Sequence, residues 1–232
     1  MNRIVAIDQF YKILQDLEDR LGGKRQLRNC NGRMNWPKRG VYFFFEPGEN
    51  RSKKPEPRVV RIGTHALKRN SKTTLWSRLR QHRGNTDGRG NHRGSVFRLH
   101  VGNAIIKKKG LKKYPTWAKG SSASKQIRKQ EAPLEIQVSE HIGLMPFLWL
   151  EINDPAGPNS DRAYIEQNSV ILLSNYDYYG TPLAVDPPSK TWLGHFSKNE
   201  IRKSGLWNVN YVTEKMIDSK FLVKLEKIVS CI

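Results

Sequence analysis

Two short runs, Gly40–Phe45 (GVYFFF) and Arg58–Gly63 (RVVRIG), constrain the fold of this 232-residue chain more than any other feature. Each is strand-length, rich in β-branched and aromatic residues, and bounded by turn formers. The segment between them, 46–57, is charged and holds three prolines, so it reads as a polar loop. Two strands joined this way predict an antiparallel pair. A third run, Pro146–Ile152 (PFLWLEI), predicts a third strand.

Helical spacing surrounds these runs. Ile7, Phe10, Leu14, Leu17 and Leu21 predict an amphipathic helix over 7–21, stopped by Gly22-Gly23. Residues 24–39 are polar and basic, end in Trp36-Pro37 and read as a connector. Leu75 and Leu79 share one face of a helix over 73–82, with Thr73 or Thr74 as its cap and Gly84 as its stop. Asp161 is placed to cap a helix from Arg162 to Leu173. A last amphipathic helix is expected near 218–229. The predicted class is α/β (α+β): a small antiparallel or mixed three-stranded sheet flanked by helices. The expected organisation is an N-terminal helix and connector (1–35), a core at 36–180 interrupted by an insertion at about 84–140, and a C-terminal accessory segment (181–232).

Charge is unevenly placed. Of 41 Lys and Arg against 21 Asp and Glu, residues 51–130 hold 23 basic and 2 acidic side chains. Self-repulsion in such a block is relieved by a polyanion, and released counterions make nucleic acid the leading partner. Exposed candidates for phosphate contact are Arg89, Arg93, Lys107, Lys108, Lys109, Lys112 and Lys113, which position a duplex without reading its sequence. The glycine-rich stretch 84–94 reads as a mobile loop. Two cysteines, Cys30 and Cys231, exclude a disulfide framework and a thiolate zinc site. The N-terminus lacks the apolar core of a signal peptide, and no stretch is long enough for a membrane span. These features predict a cytoplasmic protein with no membrane partner.

Four side chains carry candidate chemistry. Tyr42 lies in the first strand among apolar neighbours. Arg78 and His82 are four apart and share a helix face. Glu166 falls on the apolar stripe of the later helix, where a carboxylate is costly unless a charged partner, such as a divalent cation, meets it. Taken singly, each also fits an ordinary structural role: a tied-off core tyrosine, a basic helix face, a surface glutamate.

Their order narrows the choice. Gly40-Val41-Tyr42, then Arg61-Ile62-Gly63, then Leu75-x-x-Arg78-Leu79-x-x-His82, then Glu166 with Asn175 after it, resemble the GIY-YIG nuclease superfamily, most closely its restriction-endonuclease-like members. The resemblance covers roughly residues 36–180. It implies metal-dependent hydrolysis of a phosphodiester in double-stranded DNA with one Mg²⁺ per site. Glu166 would hold the ion, Arg78 would bind the non-bridging oxygens, and Tyr42 would position or deprotonate the water. A free phenol ionises near pH 10, so its proton needs an acceptor at neutral pH, and His82 is suited to that. Arg61 stands where the family usually has tyrosine, and it stays protonated, so it can hold a phosphate but not act as a base. His65 and Asn175 are auxiliary candidates. A compact catalytic domain with a large basic insertion suits a stand-alone enzyme, so a restriction or defence nuclease of a bacterial cell is the expectation. The alternatives are a structure-specific repair or mobile-element nuclease, or an inactive DNA-binding module of the same fold. A symmetric target would call for a homodimer or sequential nicking.

Overall fold

Strand Gly40–Asn50 is buried on both faces over its first seven residues, which is why it reads as a continuous apolar run rather than an alternation. The computed structural model describes residues 2–52 and 54–232. Its sheet has four strands rather than the expected three: β1 (Arg25–Gln26), β2 (Gly40–Asn50), β3 (Pro57–Gly63) and β4 (Pro146–Glu151). They lie in the order β1-β4-β2-β3, with every pair antiparallel. Strand β1 escapes sequence reading because two residues carry no periodicity. The polar stretch after Phe45 continues β2 to Asn50, and the register with β3 shifts on either side of Phe45.

Among the described residues, seven α-helices cover the sheet: α1 (Arg3–Leu21), α2 (Leu75–Arg83), α3 (Val96–Lys109), α4 (Lys125–Gly143), α5 (Asp161–Leu173), α6 (Asn199–Ser204) and α7 (Phe221–Ser230). Val41, Phe43, Leu148 and Leu150 point into one core with α1, α5 and α7. Tyr42, Phe44, Phe147 and Trp149 point into the other, filled by α2, α3, α4, Trp192 and Trp207. Thr74 caps α2 in a reciprocal capping box with Ser77. Helix α5 is capped by Ser160, whose side chain accepts from the Ala163 amide, and Asp161 is its first residue.

The insertion 84–140 is mostly two helices. Helix α3 is buried on several sides, and α4 contains Pro133, so neither shows a clear stripe. Stretch 84–94 is tied down rather than free: the Asn85 amide donates to Arg89 O at 2.6 Å, and the His92 ring meets Glu135 at 2.9 Å. Two buried ion pairs bind this region to α4, Arg93 with Glu131 and Arg98 with Glu135. Trp117 is buried and stacked on His92 at 3.7 Å.

The C-terminal residues complete both cores. Phe221, Leu222, Leu225 and Val229 of α7 pack with α1. Trp207 and Asn208 cover the outer edge of β3. The Trp207 amide donates to Val60 O at 2.7 Å, and the Asn208 side chain accepts from the Ile62 amide at 3.1 Å and donates to Ile62 O at 2.8 Å. Among the described residues, no helix is long and apolar enough to cross a membrane.

Candidate active site

Tyr42 and Gly63 are cross-strand partners, and the phenol ring lies over the glycine. A Cβ at Gly63 would sit 2.3 Å from the Tyr42 hydroxyl oxygen, so only glycine leaves the ring room. Gly40 is similarly constrained, since a Cβ there would meet Leu150 O at 2.5 Å. Gly63→Ala should therefore displace Tyr42. Its turnover is expected to fall about 100-fold, as for a misplacement on the order of 1 Å, with duplex affinity largely kept. Single-turnover cleavage beside a binding titration checks this.

The Tyr42 hydroxyl meets His82 Nε2 at 2.8 Å, and both residues are fully buried. His82 Nδ1 meets Ser95 Oγ at 2.7 Å. Burial, then the Arg78, Arg61 and Arg98 guanidinium groups, hold His82 well below the usual imidazole range, so the ring is neutral. Arg61 sits on the same sheet face, paired opposite Phe44. Its Nη1 donates to Trp207 O at 2.6 Å, its guanidinium lies 4.7 Å from the centre of the Phe97 ring, and Nε is buried without a partner. Burial lowers the Arg61 pKa, with Tyr42 and Glu166 opposing, which places both groups within its field.

Arg78 is half-buried one turn into α2. Its Nη1 donates to Gln81 Oε1 at 3.0 Å and Gly94 O at 3.3 Å. Glu166 lies on α5 and is half-buried. Burial raises its pKa to about 7, against the lowering pull of Arg61, Arg78 and the Thr64 amide. Among the described residues Glu166 is in no ion pair, and no group of three or more His, Cys, Asp or Glu could enclose a metal. A lone carboxylate fits Mg²⁺, which takes one or two protein oxygens and fills its octahedron with water and phosphate oxygens. Tyr42, His82, Arg61, Arg78 and Glu166 are thus joined by hydrogen bonds or mutual fields.

His65 lies nearby. Its Nδ1 meets Thr73 O at 3.0 Å, and its Nε2 is buried without a partner among the described residues. Burial and the Arg162 guanidinium push it down to about 4. Arg162 in turn bonds His65 O and Asp154, fixing the start of α5 one turn before Glu166. Asn175 faces elsewhere. It pairs through its side-chain amide with both backbone groups of Val185 and accepts from Arg3 at 3.1 Å.

A model of the GIY-YIG domain matches residues 1–232. The chain belongs to the GIY-YIG family. Membership makes it a nuclease-type domain, consistent with the tyrosine, arginine and glutamate just described. No curated protein and no solved structure matches the chain. The GIY-YIG match also includes the N-terminal helix and the C-terminal residues, beyond the span that the motifs suggest.

The expected DNA contacts divide. Lys107, Lys108, Lys109, Lys112 and Lys113 are exposed, the first three at the C-terminus of α3, where they also suit the helix dipole. Lys107 lies about 18 Å along the helix from Ser95, at the usual rise per residue. Arg89 is exposed but bonded to Asp87. Arg93 is turned inward onto Glu131, with contacts at 2.6 and 2.9 Å, and is occupied in holding the fold. The connector 24–39 was a missed surface. It carries six basic and no acidic side chains, and Arg25, Arg28, Arg33 and Lys38 are exposed. Trp36 anchors it, stacked on Trp76 at 5.3 Å, and Lys38 O accepts the Leu75 amide at the start of α2. Its basic character is plain in the sequence, but its place at a short gap between elements gave it no DNA role there.

Proposed function

We propose that this protein is a metal-dependent DNA endonuclease acting in restriction or defence. The observation that carries the reading is the buried Tyr42–His82 pair, at 2.8 Å, beside two arginines and the Glu166 carboxylate, which lies in their field but, among the described residues, in no ion pair. The Mg²⁺ that Glu166 would hold supplies Lewis acidity at the phosphate and charge stabilisation at the leaving 3′ oxygen. Tyr42 orients the attacking water and takes its proton while passing its own to neutral His82. Arg78 pairs with non-bridging oxygens as charge builds on phosphorus. Arg61, fixed by Trp207 O and Phe97, adds a second stationary cation where the family usually has tyrosine.

The duplex is proposed to run between the connector 24–39 and the lysines after Ile106. Both are exposed, basic and sequence-neutral in chemistry, so they supply grip and register. A restriction role is favoured by the exposed basic side chains that the chain itself carries at Arg25, Arg28, Arg33 and Lys38 and at Lys107–Lys109, Lys112 and Lys113, which suit a stand-alone enzyme. Plasmid cleavage tests the function: discrete fragments with Mg²⁺ and none with EDTA are expected. Salt-sensitive binding without cleavage of plasmid or branched DNA would overturn the enzyme, and a preference for branched substrates would shift the role to repair. Replacing Arg28, Arg33 and Lys38 together by Ser should lower the slope of log affinity against log salt by about 2–3, with cleavage at saturating DNA retained. Filter binding across salt concentrations measures it.

A further inference from the structure

We propose that Ser95 is a positioning residue that sets the proton inventory of His82, making Tyr42, His82 and Ser95 one hydrogen-bonded relay. The proposal rests on the nuclease reading above. Its geometry is continuous: Tyr42 Oη to His82 Nε2 at 2.8 Å, then His82 Nδ1 to Ser95 Oγ at 2.7 Å. Ser95 is 1% exposed and His82 fully buried, so water does not compete for either ring nitrogen.

Ser95 is itself held. It caps α3, its Oγ accepting from the Arg98 amide at 3.2 Å. Arg98 Nη1 donates back to His82 O at 2.9 Å, and Arg98 is locked by Glu135. The side chain of Ser95 and the backbone of His82 are therefore joined through one buried ion pair. Around the imidazole stand Arg78 from α2, Arg61 from β3, Arg98 from α3 and the Tyr42 phenol from β2, with Phe44 and Phe97 closing the sides.

A neutral imidazole has one N–H for two partners. To accept from Tyr42, His82 must be bare at Nε2 and carry its hydrogen at Nδ1, which then needs an acceptor. Ser95 Oγ has two lone pairs, one used by the Arg98 amide and one aimed at Nδ1. In the reacting step, water gives a proton to Tyr42 Oη while Tyr42 gives its own to Nε2. The water oxygen bonds to phosphorus, and the P–O3′ bond breaks with its electron pair leaving on O3′. The resulting imidazolium donates at Nε2 to Tyr42 and at Nδ1 to Ser95, so neither hydrogen is stranded among three arginines. Its extra proton then returns through Tyr42 to water, and the O3′ oxygen takes a proton from water, leaving a 5′-phosphate and a 3′-hydroxyl. Ser95 matters most when that cation forms. This is the logic of a base oriented by a third group, with a hydroxyl in the third place.

The test uses the full chain with Ser95→Ala, Ser95→Thr and Ser95→Asp. Thr and Asp keep a helix-capping oxygen, so they separate the relay from the cap. Ser95→Ala is expected to lower kcat about 10- to 100-fold with KM unchanged, and Ser95→Thr to restore it. Ser95→Asp, an acceptor only, should move the acidic limb of the kcat–pH profile to higher pH. Independently of turnover, nitrogen-15 NMR of the His82 ring should show the Nδ1–H tautomer in the parent chain and its loss in Ser95→Ala. An unchanged tautomer in Ser95→Ala, or unchanged kcat in a folded Ser95→Ala, overturns the relay. A parent chain that cuts nothing overturns the nuclease reading instead, while the ring spectra still decide the role of Ser95.

Discussion

Glu166→Gln is expected to lower metal-dependent cleavage by at least about 10³-fold while leaving salt-sensitive duplex binding within a few-fold of the parent chain. On the proposed reading, the loss would follow from the metal's share of charge stabilisation, several kcal/mol, resting on this one carboxylate. The same variant is expected to stabilise the fold, which distinguishes it from ordinary damage. Burial raises Glu166 to about 7 from an ordinary 4.5, so between those values the native state binds a proton that the unfolded chain has released. Stability therefore falls as pH rises through that window, and the deficit is complete above it. A neutral glutamine has no such deficit. After discounting for partial exposure, Glu166→Gln gains about 2 kcal/mol at pH 8 and almost nothing at pH 4. Millimolar Mg²⁺ should raise the melting temperature of the parent chain at pH 8 and leave that of the variant unmoved. Melting curves at both pH values, with Mg²⁺ and with EDTA, measure all of this.

Tyr42→Phe is expected to lower the single-turnover rate about 10²- to 10⁴-fold, the range for losing a positioned proton-transfer group. The ring still fills the space over Gly63, so packing is preserved. What disappears is the hydroxyl, which leaves His82 Nε2 buried without its partner at 2.8 Å. An unsatisfied buried group of this kind costs about 1–3 kcal/mol of stability. The variant should therefore fold, melt several degrees lower, bind duplex normally and fail to cut it. A rate that falls only in proportion to the unfolded fraction would remove Tyr42 from the chemistry.

The central strands and the flanking helices were legible because burial patterns wrote them plainly. Helix α1 has its stripe and its Gly22 stop, in the left-handed conformation. Helix α2 has its Thr74 box. Helices α3 and α4 were hidden for opposite reasons: α3 is apolar on too many sides, whereas α4 looks solvent-facing. Its Glu131 and Glu135 are buried, and they read as surface charges only until Arg93 and Arg98 are seen to meet them. The same cause misassigned Arg93, because a basic residue in a basic stretch gives no sign of an inward partner 38 residues away. At the candidate site, Tyr42, Arg78, His82 and Glu166 could be proposed from their order. Ser95 was not, since a serine before an apolar run reports a helix cap and nothing about the ring nitrogen beside it.

The clasp of Trp207 and Asn208 on β3 has a consequence for the life of the protein as it is made. Arg61 and Ile62 leave the ribosome long before their partners, which come 146 residues later. A nascent chain already contains Tyr42, Arg78 and Glu166, yet the carbonyl that steadies Arg61 and the cover along β3 have not been synthesised. The candidate site gains this support only once residues 207 and 208 have been made, so a shorter nascent chain lacks the carbonyl that steadies Arg61.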